Sequence, residues 1–183
     1  MPDKLEFQLS IYPDPVLRKV AAPVEAFDDD LAATVAAMFD RMYASSGVGL
    51  AAPQVGLGRR ILVLNPTGEP ADELALVNVS IVDRSGPEVS FEEGCLSFPG
   101  IYADVRRPER CKVQAFSVTG EPIEREFDDF TSRIVQHEYD HLEGVLLVDR
   151  MSPADKQRHK AALEELVERY RDGLRRTSAP QRR

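Results

Sequence analysis

His137-Glu138-Tyr139-Asp140-His141 places two of the chain's three histidines four residues apart with a carboxylate between them. On an α-helix, positions i and i+4 differ by about 40° around the axis, so both imidazoles leave the same face. Phe130 and Ile134 continue that face upstream, which predicts an inward orientation. Random placement of this composition would give such a pattern only about 0.004 times, so the match to a metal-binding spacing is strong. Glu138 stands about 100° from His137 and about 60° from His141. It can therefore reach a water on a bound metal without itself being a ligand, and such water is acidified to near neutrality. The competing reading is two satisfied core histidines beside a surface glutamate.

A tetrahedral catalytic metal needs a third protein ligand and one open position. The third histidine, His159, lies outside the motif, which leaves a carboxylate or a thiolate as candidates. Cys95 lies in a tight irregular segment, after Gly94 and before Pro99-Gly100. Cys111 alternates with Val113 and Ala115 and reads as a small core residue of a strand. Spacing alone does not choose between a carboxylate and Cys95. Two cysteines make no disulfide framework, so the expected compartment is reducing and cytoplasmic.

With 183 residues, 43% of them hydrophobic and 30% charged, the chain suits one folded domain. No apolar run approaches the roughly 18 residues of a membrane span. The first residues are polar and acidic where a signal peptide would be basic and then greasy. A net charge of −8 argues against general nucleic-acid binding by the whole chain, and no direct sequence-specific nucleic-acid binding is expected. The charge is uneven: residues 150–183 carry ten Lys and Arg against five Asp and Glu, and the remainder carries 13 against 26.

Asp28-Asp29-Asp30 predicts a helix start, followed by an apolar stripe of Leu31, Val35, Met38, Phe39, Met42 and Tyr43 that should stop near Ser45-Ser46-Gly47. Residues 60–65 and 74–82 read as strands, Ser85-Gly86-Pro87 as a turn, and 89–92 as a short strand. Residues 110–118 and 122–127 flank Thr119-Gly120-Glu121 as a hairpin. Asp128-Asp129 predicts a helix over about 130–142. Ser152-Pro153 with Asp155 predicts another from about 153 to 172 with Leu163, Leu166, Val167 and Tyr170 as its apolar edge. The expected fold is α+β: a single domain, residues 1–172, with antiparallel strands around a central helix carrying the histidines, plus N-terminal and C-terminal helices. Residues 173–183 are expected to form a disordered basic tail.

Gly47-Val-Gly-Leu-Ala-Ala52 fits a dinucleotide fingerprint only superficially, since a helix precedes it and Pro53 interrupts the helix that must follow. It reads instead as backbone suited to close approach by another chain, with Gln54 offering an amide among apolar neighbours.

Three segments taken together carry a family likeness. Gly47-Val-Gly-Leu-Ala-Ala-Pro-Gln-Val-Gly56, Glu93-Gly-Cys-Leu-Ser97 and Gln136-His-Glu-Tyr-Asp-His-Leu-Glu-Gly144 resemble the three signature motifs of the peptide deformylases, in the family's order. The likeness runs from about residue 9 to 170. It implies removal of the formyl group from formylmethionine at the N-terminus of newly synthesised polypeptides. Cys95, His137 and His141 would hold the metal and Glu138 would be the general acid/base for attack by metal-bound hydroxide. The Leu96 N–H and the Gln54 amide would stabilise the oxyanion. Val48 and Gly49 would pair with the substrate backbone as an added strand, and the methionine side chain would enter a pocket near Ile134, His137 and Val48.

The implied metal is ferrous iron, one per chain, with zinc or nickel able to substitute; the ligand types alone would have given zinc. The implied partners are N-formylmethionyl nascent peptides, with a ribosome contact through the basic C-terminal helix as in some bacterial members. A bacterial cytoplasm or, for a mature organellar form, an organelle interior is the expected location. Two positions depart from the usual pattern. Tyr102 replaces an arginine that contacts the substrate backbone in many bacterial members, and neither Arg106 nor Arg107 can be assigned its role. Arg133 stands where a smaller apolar residue is usual and is expected to snorkel over the pocket mouth.

Overall fold

The computed structural model describes residues 5–178. Five antiparallel strands form one sheet in the order β1-β2-β3-β4-β5: Gly49–Ala51, Ile61–Leu64, Leu74–Gly94, Tyr102–Phe116 and Pro122–Phe127. Helix α1 (Asp29–Ala44) covers one face and α2 (Asp129–Leu142) the other, as the α+β reading anticipates. Among the described residues no helix is long and apolar enough to cross a membrane.

The two-residue period of a strand explains the double burial. All four residues of β2 are buried. Ile61 and Val63 pack with Leu31, Val35, Met38 and Met42 of α1, while Leu62 and Leu64 pack with Ile134, Val135 and Leu142 of α2. Helix α1 starts where the acidic run predicts, with the Asp28 carboxylate accepting from the Leu31 N–H at 3.0 Å. A third cluster, including Leu17, Phe98, Ile101, Val105 and Leu166, joins the Cys95 loop to the C-terminal helices.

Three expectations need correction. Ser85-Gly86-Pro87 is not a turn between strands. It lies inside the 21-residue β3, where the pairing with β4 shifts register between Ser85 and Glu88. Gly86 takes φ +82° there, and Glu88 faces Pro108, so a bulge absorbs the proline and the left-handed residue. The predicted C-terminal helix is two: α4 (Pro153–Arg158) and α5 (Lys160–Ser178), with the short α3 (Leu147–Arg150) before them. His159 makes the break, its Nε2 lying 2.7 Å from the Tyr102 carbonyl oxygen. The helix also does not stop at Gly173 but continues to Ser178, so the expected disordered tail is helical over 173–178. Residues 179–183 lie outside the described residues.

Candidate metal centre

Cys95 is the first residue beyond β3, in a turn closed by Phe98 N–H to Cys95 C=O at 2.9 Å. Gly94 permits this approach, because a Cβ there would stand 2.7 Å from the Tyr102 ring. His137 and His141 project from the same face of α2, with ring centroids 5.3 Å apart. One ligand atom from each of Cys95, His137 and His141 falls within 4.8 Å of the others, and Cys95 Sγ lies 3.2 Å from His141 Nε2. This is the one such grouping of metal-ligating side chains among the described residues.

The donor chemistry suits a transition metal: two imidazoles and a soft sulfur, of which Cys95 and His137 line a cleft of about 600 Å³. His137 presents Nδ1 to Glu93 Oε2 at 2.9 Å, which leaves Nε2 free to ligate; a carboxylate behind a histidine is the usual support for a metal ligand. Two buried polar atoms at the site, Glu138 Oε2 and His141 Nδ1, have no hydrogen-bond partner among the described residues. A buried carboxylate oxygen left without a partner is costly unless the site is completed by a ligand or water. These residues fit a metal centre.

Burial drives the electrostatics. Desolvation pushes the Glu138 carboxyl up to about 7, and a cation held by the triad would oppose that shift. Burial alone would lower His137, but its bonds to Cys95 and Glu93 carry it well above the ordinary value. His141 moves the other way, through burial and then the neighbouring His137 charge. Glu93 is held far below the carboxylate range although burial opposes this, because His137 and Arg107 both bond to it.

The other sequence-predicted residues surround the same cleft. Gln54 is buried: Oε1 accepts from Ala51 N–H at 2.9 Å, and Nε2 donates to Cys95 Sγ at 3.6 Å and Ser97 Oγ at 3.4 Å. Val48, Gly49, Leu96 and Ile134 all line the cleft. A Cβ on Gly49 would stand 2.7 Å from both Glu138 Oε1 and Ile134 Cγ2, so the strand passes as close to the glutamate as a glycine allows. Phe130, expected to point inward, is instead half exposed and pairs with Phe91 at the cleft edge. Tyr102 is exposed at the same rim.

Arg107 and Arg133 are the residues that sequence reasoning placed least well. Arg107 is buried, with Nε and Nη2 on the two oxygens of Glu93 at 2.7 and 2.9 Å and Nη1 on Asp140 Oδ2 at 2.8 Å. All three of its nitrogens are engaged by those carboxylates. Asp140 is shared with Arg150. Arg133 does not snorkel: its guanidinium turns inward to Glu93, because a buried carboxylate is a stronger attraction than the pocket rim.

A sequence model of the family described as polypeptide deformylase matches residues 7–157. The chain is 48% identical over 163 residues to peptide deformylase 1B, chloroplastic/mitochondrial, of Arabidopsis thaliana, covering 88% of this chain and 60% of that one. It is 43% identical over 150 residues to the peptide deformylase of Thermotoga maritima, covering 82% and 90%. The chain thus spans about 60% of the length of the plant relatives, Arabidopsis and rice, that it matches. Among solved structures, that of Plasmodium falciparum peptide deformylase superposes with a TM-score of 0.88 at 40% identity, covering 90% of this chain and 98% of that one. A plant peptide deformylase does so with a TM-score of 0.88 at 46% identity, covering 91% and 92%.

Proposed function

The chain belongs to the polypeptide deformylase family, and from that premise we propose that it hydrolyses the N-formyl group of formylmethionine on nascent polypeptides, releasing formate. The observation that carries this reading is the convergence of Cys95, His137 and His141 beside the buried carboxylate of Glu138. Cys95, His137 and His141 are the proposed ligands of one ferrous iron, which zinc or nickel could replace. When bound, such an ion supplies Lewis acidity for the formyl oxygen and lowers the pKa of water.

The chain's own residues do the rest. Glu138 takes a proton from the attacking water as its oxygen bonds to the formyl carbon. It then returns that proton to the methionine nitrogen as the carbon–nitrogen bond breaks. Desolvation raises this carboxyl, which makes it a better proton acceptor than a solvated glutamate while leaving it able to give the proton back. The Gln54 amide, whose Nε2 donates to Cys95 Sγ, and the Leu96 N–H are the proposed oxyanion donors. Strand β1 lies at the end of the sheet; the Val48 carbonyl already accepts from the Asn65 N–H at 2.9 Å, so of the proposed Val48–Gly49 pairing segment it is the Gly49 backbone that is left to pair with a peptide laid beside it. Ile134 and Val48 provide the apolar surface for the methionine side chain.

Formyl is the smallest acyl group, and the tight packing of Gly49 against Ile134 and Glu138 leaves little slack beside Glu138 for a larger one. A formylmethionyl peptide is therefore expected to turn over at least about 100-fold faster than its acetylated analogue, since a cavity fitted to one acyl group rejects a larger one by steric overlap. Equal rates, measured by amine release, would favour a general aminoacyl hydrolase. Cleavage at internal peptide bonds would favour a peptidase.

The proposed catalytic unit is residues 1–172 and the proposed location a bacterial cytoplasm; the relatives include both bacterial and organellar proteins. The proposed second partner is the ribosome, through α5, where Arg169, Arg171 and Arg175 are exposed. Reversing these three charges is expected to reduce ribosome cosedimentation at low salt while leaving turnover of a short peptide unchanged. Unchanged cosedimentation would remove α5 from that role.

A further inference from the structure

Neither the metal triad nor the proton-transferring carboxylate accounts for Arg133. It sits on α2 one turn before His137 and is buried. Nη1 donates to Glu93 Oε1 at 2.7 Å and to the Val105 carbonyl at 3.0 Å, and Nη2 donates to the Val89 carbonyl at 2.7 Å. The guanidinium also lies over the Phe91 ring, 5.5 Å from its centroid. Val89 and Val105 stand on the two paired strands β3 and β4. One side chain therefore ties α2 to both strands of the long hairpin and to Glu93.

The tie matters because the candidate ligands come from two separate pieces of structure. Cys95 follows the end of β3, whereas His137 and His141 are carried by α2. The distance between sulfur and imidazoles is set by how the hairpin seats on the helix. Glu93 is the junction: Oε1 receives Arg107 Nε and Arg133 Nη1, and Oε2 receives Arg107 Nη2 and faces His137 Nδ1. Arg107 alone approaches this carboxylate from β4, its own sheet. Arg133 approaches it from the helix that bears the histidines.

We propose that Arg133 is a positioning residue for the metal centre: it locks Glu93 and the β3–β4 hairpin onto α2, so that His137 Nε2, His141 and Cys95 are held at ligating separation before an ion arrives. The proposal rests on the reading of Cys95, His137 and His141 as a metal site. It requires the geometry of a guanidinium as well as a charge, because three acceptors in different directions are served by one planar fork.

The test is the release of cobalt(II) from full-length protein loaded anaerobically at one ion per chain. Release to a chelator is followed together with the visible ligand-field bands. Arg133→Met, which keeps length without donors, is expected to release cobalt about 10–100-fold faster than the unaltered protein and to shift the bands, as loss of a ligand's outer support does. Arg133→Lys, which keeps the charge and fewer donors, should fall between them. Val113→Ala supplies the control, a buried core truncation away from Glu93. It should lower the melting temperature without changing release or spectrum. The proposal is overturned if folded Arg133→Met releases cobalt within twofold of the unaltered rate with unchanged bands. It is also overturned if Val113→Ala accelerates release equally. Should Arg133→Met not fold, Arg133→Lys is judged by the same two criteria. Failure of the unaltered protein to take up cobalt would instead remove the metal-site reading, and the proposal with it.

Discussion

Glu138→Gln is expected to lower turnover of a formylmethionyl peptide by about 10²–10⁴-fold while leaving metal content near one ion per chain, because general acid–base catalysis contributes about that factor. The substitution is nearly isosteric, which matters at a side chain only 5% exposed and packed against Gly49. A larger or differently branched residue would disturb the strand and confound the result. Glutamine keeps the shape and can still hydrogen-bond, but it cannot accept a proton from water and carry it to the departing nitrogen. Burial raises this carboxyl, to about 7 without an ion, and a cation held by the triad would draw it down again, so the group stays a stronger base than a solvated glutamate only while it is desolvated. Turnover and metal analysis on the same preparation separate the alternatives. Undiminished turnover would exclude Glu138 as the shuttle. Loss of metal along with activity would make it a ligand.

The helices were legible because their signals are local. Asp28 caps α1 through its own carboxylate, and the apolar stripe behind it meets β2 without help from the rest of the chain. The same holds for the histidine pair, whose common face follows from helical pitch. The long hairpin was hidden because Gly86, Pro87 and Pro108 are punctuation when read one at a time. Only when β3 and β4 pair does a bulge take up Gly86 and Pro87, with Pro108 facing Glu88 at its edge, so tertiary pairing overrides the local signal. The break at His159 has the same origin, since its partner is a carbonyl on β4 that no window around residue 159 contains.

Arg107 is the instructive miss. Cys111, Val113 and Ala115 alternate inward, and stepping back by two from Cys111 reaches 109, 107, 105 and 103. Arg107 therefore faces the interior and Arg106 faces solvent. A strand begun only at residue 110 leaves that count out. Its partners were visible from the start, since Glu93 and Asp140 stand inside two of the three quoted motifs. Arg133 carried no comparable signal, because a long cation on a helix beside a cleft fits a snorkelling side chain equally well. Only the placement of Glu93 decides which way it turns.

The sharpest test of the metal centre is a comparison of the two cysteines. Cys95→Ser is expected to abolish stoichiometric metal retention and, with it, deformylation, whereas Cys111→Ser should retain about one ion per chain. The serine hydroxyl is harder than a thiol and far less acidic, so it rarely ionises to ligate a transition metal at neutral pH. Two imidazoles from one helix then remain, too few for a site that needs three protein ligands. Cys111 is also buried, but its Sγ faces the Ser132 carbonyl and its neighbours are Val113, Phe127 and Val135, a packing environment with no second ligand. Its serine variant should lose stability by about 1–3 kcal/mol, the cost of placing a hydroxyl among apolar side chains. The two variants thus separate ligand loss from core damage: one releases metal at nearly unchanged melting temperature of the metal-free protein, the other melts earlier with metal retained. Equal metal content in Cys95→Ser and the unaltered protein would remove the sulfur from the coordination sphere. A carboxylate would then have to complete the site, and Glu93, already bound by two arginines and His137, is a poor candidate.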